Sequence, residues 1–469
     1  MGENGFNNYE MSWVPKINKS KRPIYMELAS VLERDIKNGL IRPGTKLPPQ
    51  RELADYLGIN LSTVSKAVQV CMKKGLISAS VGSGTYVSYD ALLDGNSIRR
   101  NRVIIDMSVP QPESGGFDEI VTTIKTMLSE PTSDEWFGYG DIEGVAWHRE
   151  AASRLIERLG YRPNANSIRF SSGGQNALAA ILCSVFERGD KIGTDPFTYI
   201  GLKKAAKLFD VELVPISGRD GIMDEESIAE ACRKEHIKGL YVMPGYQTPN
   251  IEMLPEDRKP EIARAAKEHS LIVIEDAVNI LRFSEGVATV AQHIPEQTFF
   301  LASVSKTFAS GLRIAAVVCP ERYCKTFDNA LYCLNLCGSP FMEELACRLM
   351  VSNRERSIIN KHDKSMAIRN RCVDEILGDY VIGGNSKSIH RWIKMPEGID
   401  ETDFEKKAMI LGVSVRASAQ FAVGNTKPYN AVRITPSTPS TVWKLKEGLK
   451  ILRQLLDSLD EQNTKQSDR

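Results

Sequence analysis

No stretch of the 469-residue chain approaches the ~20 consecutive apolar residues that a bilayer-spanning helix needs. The start, Met1-Gly-Glu-Asn-Gly-Phe, is polar and has none of the apolar core of a secretory signal. The nine cysteines are scattered, with no Cys-x-x-Cys pair and no Cys/His cluster. That argues against a metal site or a disulfide framework, and for reduced thiols in a cytoplasmic protein. Net charge is only +1, so the chain is no polycation. At 42% apolar and 25% charged, it has the composition of a soluble globular protein, long enough for two or three domains.

The small net charge hides an uneven distribution. Between Trp13 and Tyr89 twelve Lys/Arg face five Asp/Glu, a net +7. Such a segment suits a polyanionic partner, although charge alone fits a solvated basic face equally well. Its pattern says more. Tyr25, Leu28, Val31, Leu32 and Ile36 recur at helical spacing. Arg51–Gly58 reads as a short helix closed by glycine, and Asn60 as the cap of the next. There Val64, Ala67, Val68 and Cys71 form a buried stripe, which leaves Ser62, Thr63, Ser65 and Lys66 facing outward. Gly75–Val87 then reads as a hairpin with a Gly82-Ser83-Gly84 tip.

Pro23-Ile-Tyr25, Gly39-Leu-Ile-Arg-Pro-Gly44, Leu47-Pro48, Arg51-Glu-Leu-Ala54, Leu57-Gly58, Thr63-Val64, Gly75-Leu-Ile77 and Gly82–Val87 together resemble the winged helix-turn-helix of the GntR family of bacterial repressors. The resemblance implies a DNA face of Arg51, Ser62, Thr63, Ser65, Lys66 and the wing-tip residues Gly82 and Ser83, with an operator duplex as partner. Arg51 is expected on a phosphate, and Lys66 on a phosphate or a base edge. Many family members open the recognition helix with arginine where this chain has Leu61, so a different operator is expected.

Residues 89–102 are polar and read as a linker, and 1–20 and 458–469 as polar tails. Between them, residues 103–457 alternate short Val/Ile-rich runs with amphipathic helices. The runs begin at Ile168, Lys191, Val211, Gly239, Leu271 and Thr298. This is an α/β pattern with a mostly parallel sheet, whose ligands sit at the carboxyl ends of the strands.

One segment carries the clearest chemistry. In Ser303-Val-Ser-Lys306-Thr-Phe-Ala-Ser-Gly-Leu-Arg313, a lysine sits among hydroxyl residues with an arginine seven positions on. A lysine amine can form a Schiff base with an aldehyde, while Ser303, Ser305 and Arg313 can hold a phosphate. The segment resembles the pyridoxal phosphate site of fold-type I aminotransferases, and other residues fall in that family's order. Gly173, Gly174 and Gln175 open a helix beside the phosphate. Tyr199 corresponds to the ring that stacks on the cofactor, and Thr248 lies in the cofactor-edge loop. Asp276 is implied as partner of the pyridine nitrogen, and Arg433 as the grip on an effector carboxylate. Tyr139 is implied to reach the phosphate of a partner subunit in a homodimer. Two positions depart from the pattern: Asn279 replaces a tyrosine soon after Asp276, and Thr248 stands where enzymes carry asparagine.

The whole chain thus resembles the MocR group of the GntR family, a winged helix-turn-helix fused to a fold-type I aminotransferase-like domain. That domain is expected to have a seven-stranded-type sheet and a smaller C-terminal α+β subdomain. The resemblance implies a transcription regulator that senses pyridoxal phosphate, an amino compound, or both. The alternative is a working aminotransferase with an appended DNA-binding module.

Overall fold

The computed structural model describes residues 11–20, 23–37, 40–41, 45–74, 76–80, 84–87, 104–112, 117–131, 133–245, 253–279, 288–352 and 354–467. The expected linker, the wing-tip residues Gly82 and Ser83, and Thr248 lie outside them. The chain divides into two units, Met1–Ile104 and Ile105–Arg469.

In the first unit, helices α1 (Ile24–Lys37), α2 (Gln50–Leu57) and α3 (Leu61–Lys73) precede a hairpin of β1 (Ile77–Ser80) and β2 (Gly84–Val87), paired antiparallel with Ile77 opposite Val87. The expected stripes meet in one core: Leu28, Val31, Leu32 and Ile36 of α1 against Val64, Ala67, Val68 and Cys71 of α3. Gly58 ends α2 in the left-handed region (φ 59°), where glycine has no Cβ penalty, and so opens the turn into α3. Asn60 holds the N-cap position of α3, but its side chain makes no capping bond, contrary to expectation. Residues 11–20, expected as part of a free tail, are also built in: Trp13 is 5% exposed within this core.

The second unit runs β3 (Ile105–Asp106), α4 (Phe117–Leu128), α5 (Ala146–Glu157), β4 (Ile168–Ser171), α6 (Gly174–Val185), β5 (Lys191–Thr194), α7 (Ile200–Phe209), β6 (Glu212–Pro215), α8 (Glu225–Glu235), β7 (Gly239–Val242), α9 (Arg258–Glu268) and β8 (Ile272–Asp276). It continues through β9 (Thr298–Ser303), β10 (Ala315–Val318), α10 (Cys324–Asn335), α11 (Pro340–Val351), α12 (Arg354–Leu377), β11 (Val381–Ile382) and β12 (Arg391–Lys394). It closes with α13 (Glu401–Ile410), β13 (Val413–Ser414), β14 (Arg416–Ala417), β15 (Ala431–Ile434) and α14 (Val442–Ser467).

Seven strands form the large sheet in the order β4-β10-β9-β8-β7-β5-β6. All neighbours pair parallel except β10, which runs antiparallel to both β4 and β9. This strand, Ala-Ala-Val-Val, is absent from the expected set. Its four short apolar residues have no period to read, and sheet pairing alone makes them a strand. Successive residues alternate between layers, as a pleated strand requires. Tyr241 and Ile274 face the α6, α7 and α10 side, while Leu240, Val242 and Val273 face α8 and α9.

The smaller subdomain has the four-stranded sheet β11-β12-β15-β14. The parallel pair β13–β3 brings the opening of the unit onto it. Its core joins Leu377, Phe404, Leu445, Leu449 and Leu452. Helix α14 continues to Ser467, through residues expected to form a polar tail.

Candidate cofactor site and DNA-reading face

Strand register assembles the anion cradle. Ala315, the first residue of β10, lies opposite both Ser171 of β4 and Ser303 of β9. The residues just before it, Arg313 and Ile314, therefore emerge beside the carboxyl ends of those two strands. Ser303 Oγ donates to the Ile314 carbonyl at 3.2 Å and shares a hydrogen bond with Ser305 Oγ at 3.0 Å. Arg313 takes a left-handed backbone (φ 51°) and turns its guanidinium towards Ser305 Oγ (3.5 Å) and the Ser172 carbonyl (3.4 Å). Gly173, at φ 87°, caps α6. A β-carbon there would lie 2.4 Å from Arg313 Nη2, so only glycine lets the guanidinium close over the helix end. The result is a helix N-terminus, two serines and an arginine converging at one point, a donor set suited to a phosphate.

Asp276 ends the fully buried β8. Tyr241 of β7 pairs in register with Ile274, two residues earlier on the same face, and its hydroxyl donates to Asp276 Oδ2 at 2.6 Å. The Val278 amide donates to Oδ1 at 3.1 Å. Burial raises the Asp276 carboxyl, while Tyr241, Val278 and Lys306 oppose that rise. Tyr241 was not among the residues picked out from sequence. Its signal was available: a tyrosine in an otherwise apolar strand is a buried hydroxyl that must find a partner.

Lys306 follows β9 in a turn, and its Nζ donates to the Pro110 carbonyl. Burial, then Arg433 and Arg313, lower the amine to about 8, against the pull of Asp276. Arg433 of β15 is buried, its guanidinium 4.5 Å from the Phe421 ring centre. Its Nη2 donates to the Ser108 carbonyl at 3.2 Å, and its Nε has no partner among the described residues. Burial and Arg416, its register partner on β14, lower it to about 9. The segment 107–111 thus meets both cations through backbone carbonyls. His390 is buried nearby and held well below its usual range by burial, then by Arg433 and Lys306. Nothing in Ser388-Ile-His-Arg-Trp392 marked it; only folding brings it to Arg433 and Lys306.

The remaining expected residues divide. Tyr199, at the N-cap of α7, keeps 40% of its surface exposed. A β-carbon on Gly201 would lie 2.2 Å from its ring, so Gly201 gives that ring its room. Gln175 donates through Nε2 to the Gly201 carbonyl at 2.8 Å, beside the Tyr199 ring. Gly174 opens α6, and Asn279 is half-buried in the turn after Asp276. Tyr139 is 87% exposed on its own chain.

On the first unit, Arg51, Ser62 and Lys66 are exposed and Thr63 is half-buried. Ser65 is not a free outward hydroxyl. It donates to Gln50 Oε1 at 2.7 Å and ties α3 to the start of α2.

Comparison with known proteins fits both units. The family of bacterial regulatory proteins described as gntR matches residues 24–87, and aminotransferase class I and II matches residues 102–352. The HTH-type transcriptional regulator YdeF of Bacillus subtilis (strain 168) is 42% identical over 458 residues, covering 97% of this chain and 99% of that one. YjiR, an HTH-type transcriptional regulator of Escherichia coli (strain K12), is 23% identical over 450 residues, covering 88% and 95%. Among solved structures, Pyrococcus horikoshii kynurenine aminotransferase superposes with a TM-score of 0.68 at 24% identity, over 76% of this chain and 92% of that one, a likeness of fold. The chain therefore belongs to the gntR family of bacterial regulatory proteins, in its MocR group: an HTH-type transcriptional regulator with a DNA-binding winged helix and an aminotransferase-like domain.

Proposed function

We propose that this regulator holds pyridoxal phosphate in its second unit and adjusts its grip on operator DNA when an amino compound reaches that site. The observation that carries the reading is the convergence of Arg313, Ser303 and Ser305 with the Gly173 end of α6, in reach of Lys306 and Asp276. Bound pyridoxal phosphate supplies an aldehyde that condenses with amines and a pyridine ring that withdraws electrons.

The chain's own residues do the rest. The α6 N-terminus, Arg313 and the two serines would hold the phosphate. Asp276, oriented by Tyr241, would accept a hydrogen bond from the ring nitrogen, and Tyr199 would supply an aromatic face for the ring. Lys306 offers an amine whose neutral form is favoured by burial and two guanidinium groups. Arg433 binds a carboxylate, whose second oxygen satisfies the Nε left without a partner. A carboxylated amine would then compete with the Ser108 and Pro110 carbonyls for Arg433 and Lys306. Those carbonyls directly follow β3, where the second unit begins, so their displacement is the step that couples the site to the chain leading to the DNA reader.

The regulator acts in the cytoplasm, where its DNA is, and as a homodimer in which exposed Tyr139 completes the partner's phosphate site. No helix among the described residues is long and apolar enough to cross a membrane. The test is an absorbance titration of the full-length protein with pyridoxal phosphate and then with candidate amines, alongside DNA binding and sedimentation. A lysine-bound chromophore, a change in DNA affinity with amine and no steady turnover are expected. Sustained exchange of an amino acid with a keto acid would instead indicate a working aminotransferase. A monomer with cofactor bound would remove the role of Tyr139.

A further inference from the structure

The segment Met11–Ser20 has no part in the recognition helix or the wing, yet it is fastened to both ends of the DNA reader. Trp13 is wedged among Leu28, Leu32, Leu47, Leu53 and Val68, and its indole N–H donates to Asp35 Oδ2 at 3.1 Å in a buried bond. Ser12 Oγ donates to the Lys46 carbonyl at 2.5 Å, and Lys46 bridges to Tyr86 on the second wing strand. Pro15 is buried and Ile17 half-buried against the same core. At the far end, the Lys19 ammonium stands over Gly58, 3.5 Å from where a β-carbon would sit. Gly58 is the left-handed residue that opens the turn between α2 and α3. The arm therefore runs from the base of the wing to the helix-turn-helix turn.

Lys16 and Lys19 are exposed along that path, and neither forms an ion pair with a described carboxylate, the exposed Glu52 and Asp55 of α2 included. In helix-turn-helix complexes the first helix crosses the sugar-phosphate backbone while the second enters the major groove. A cation held over the turn between them meets phosphate, not a base edge.

We propose that this N-terminal arm is part of the DNA-binding surface. Lys19, with Lys16 beside it, contacts duplex phosphates next to the half-site read by α3, and Trp13 is the pin that positions them. The inference rests on DNA binding through the winged helix and extends its footprint.

The test uses full-length protein and two labelled duplexes, one of random sequence and one enriched from a random pool by the wild type. Anisotropy is followed against salt. The double variant Lys16→Ala/Lys19→Ala is expected to lower the slope of log affinity against log salt by about 1.8, roughly 0.9 per lysine, and to weaken both duplexes alike. Trp13→Ala, with both lysines intact, is expected to flatten the slope in the same way. Circular dichroism reports whether it folds. If it does not, the double variant, altered only at exposed positions, decides alone. An unchanged slope in the double variant while the wild type binds would overturn the proposal, and a loss confined to the enriched duplex would make the lysines base readers and also overturn it. A folded Trp13→Ala with a wild-type slope would remove the pin. Failure of the wild type to bind either duplex would instead defeat the underlying DNA-binding reading.

Discussion

The Tyr241 hydroxyl donates to Asp276 Oδ2 at 2.6 Å between neighbouring parallel strands, with both residues buried. The bond lowers the carboxyl against the upward push of burial, and the neighbouring carboxylate helps hold the phenol well above its usual range, behind burial itself. Tyr241 thus opposes the upward push of burial on Asp276 and fixes the direction of its carboxyl. Tyr241→Phe should raise the Asp276 carboxyl further and weaken pyridoxal phosphate binding, by roughly 5- to 10-fold for one lost buried bond of about 1 kcal/mol or slightly more. Asp276→Ala removes the proposed partner of the ring nitrogen itself and should cost more, on the order of 10- to 100-fold. Absorbance titration of both variants checks the order; equal affinity in the wild type and Asp276→Ala would remove the role.

Lys306 should act as a nucleophile at an unusually low pH. Its ordinary value of 10.5 is brought to about 8 by burial, then by the charges of Arg433 and Arg313. Only the neutral amine attacks an aldehyde. The rate of covalent capture of pyridoxal phosphate should therefore rise with pH and level off above about 8. Arg433→Gln removes a neighbouring cation, so the midpoint should move upward. Stopped-flow absorbance across the neutral and alkaline range measures it. Lys306→Ala should abolish the adduct that borohydride fixes, and mass spectrometry placing the label on another lysine would refute the assignment.

Gly173→Ala tests the cradle. The new methyl meets the Arg313 guanidinium at 2.4 Å, at a backbone angle (φ 87°) that alanine avoids. Arg313 must swing off the helix end. Phosphate affinity should drop at least tenfold, the scale of losing one charge-assisted contact of about 1.5–3 kcal/mol. Thermal melting without cofactor separates that loss from unfolding. A variant that binds inorganic phosphate and pyridoxal phosphate like the wild type would show that the cradle lies elsewhere.

On the DNA face, Arg51 and Ser65 should behave differently. Arg51 is exposed at the start of α2, so Arg51→Ala should weaken all duplexes similarly and reduce the salt slope by about one unit. Ser65 is spent on Gln50, so Ser65→Ala should leave the salt slope unchanged and act through the seating of α3 on α2. A sequence-selective loss at Arg51 would make it a base reader.

Much of this protein could be read along the chain, because the signals are local. The stripe Val64, Ala67, Val68 and Cys71 has helical period, Gly58 marks a turn only glycine enters easily, and six of the seven large-sheet strands are apolar runs between turn residues. Lys306 declared itself through its hydroxyl neighbours and the arginine seven positions on. What stayed hidden depends on register and packing. Strand β10 exists because β4 and β9 lie on either side of it, and that pairing delivers Arg313 to Gly173. Tyr241 reaches Asp276 from 35 positions away, Trp13 enters a core that an apolar pattern starting at Tyr25 gave no reason to extend, and Ser65 hydrogen-bonds Gln50. Sequence alone indicated the two units and the buried stripe of α3, and singled out Lys306 as the candidate Schiff-base lysine. Tertiary structure decided which hydroxyls were already engaged and which cations crowd Lys306, since hydrogen bonds and electrostatic shifts depend on distance in space, not on separation along the chain.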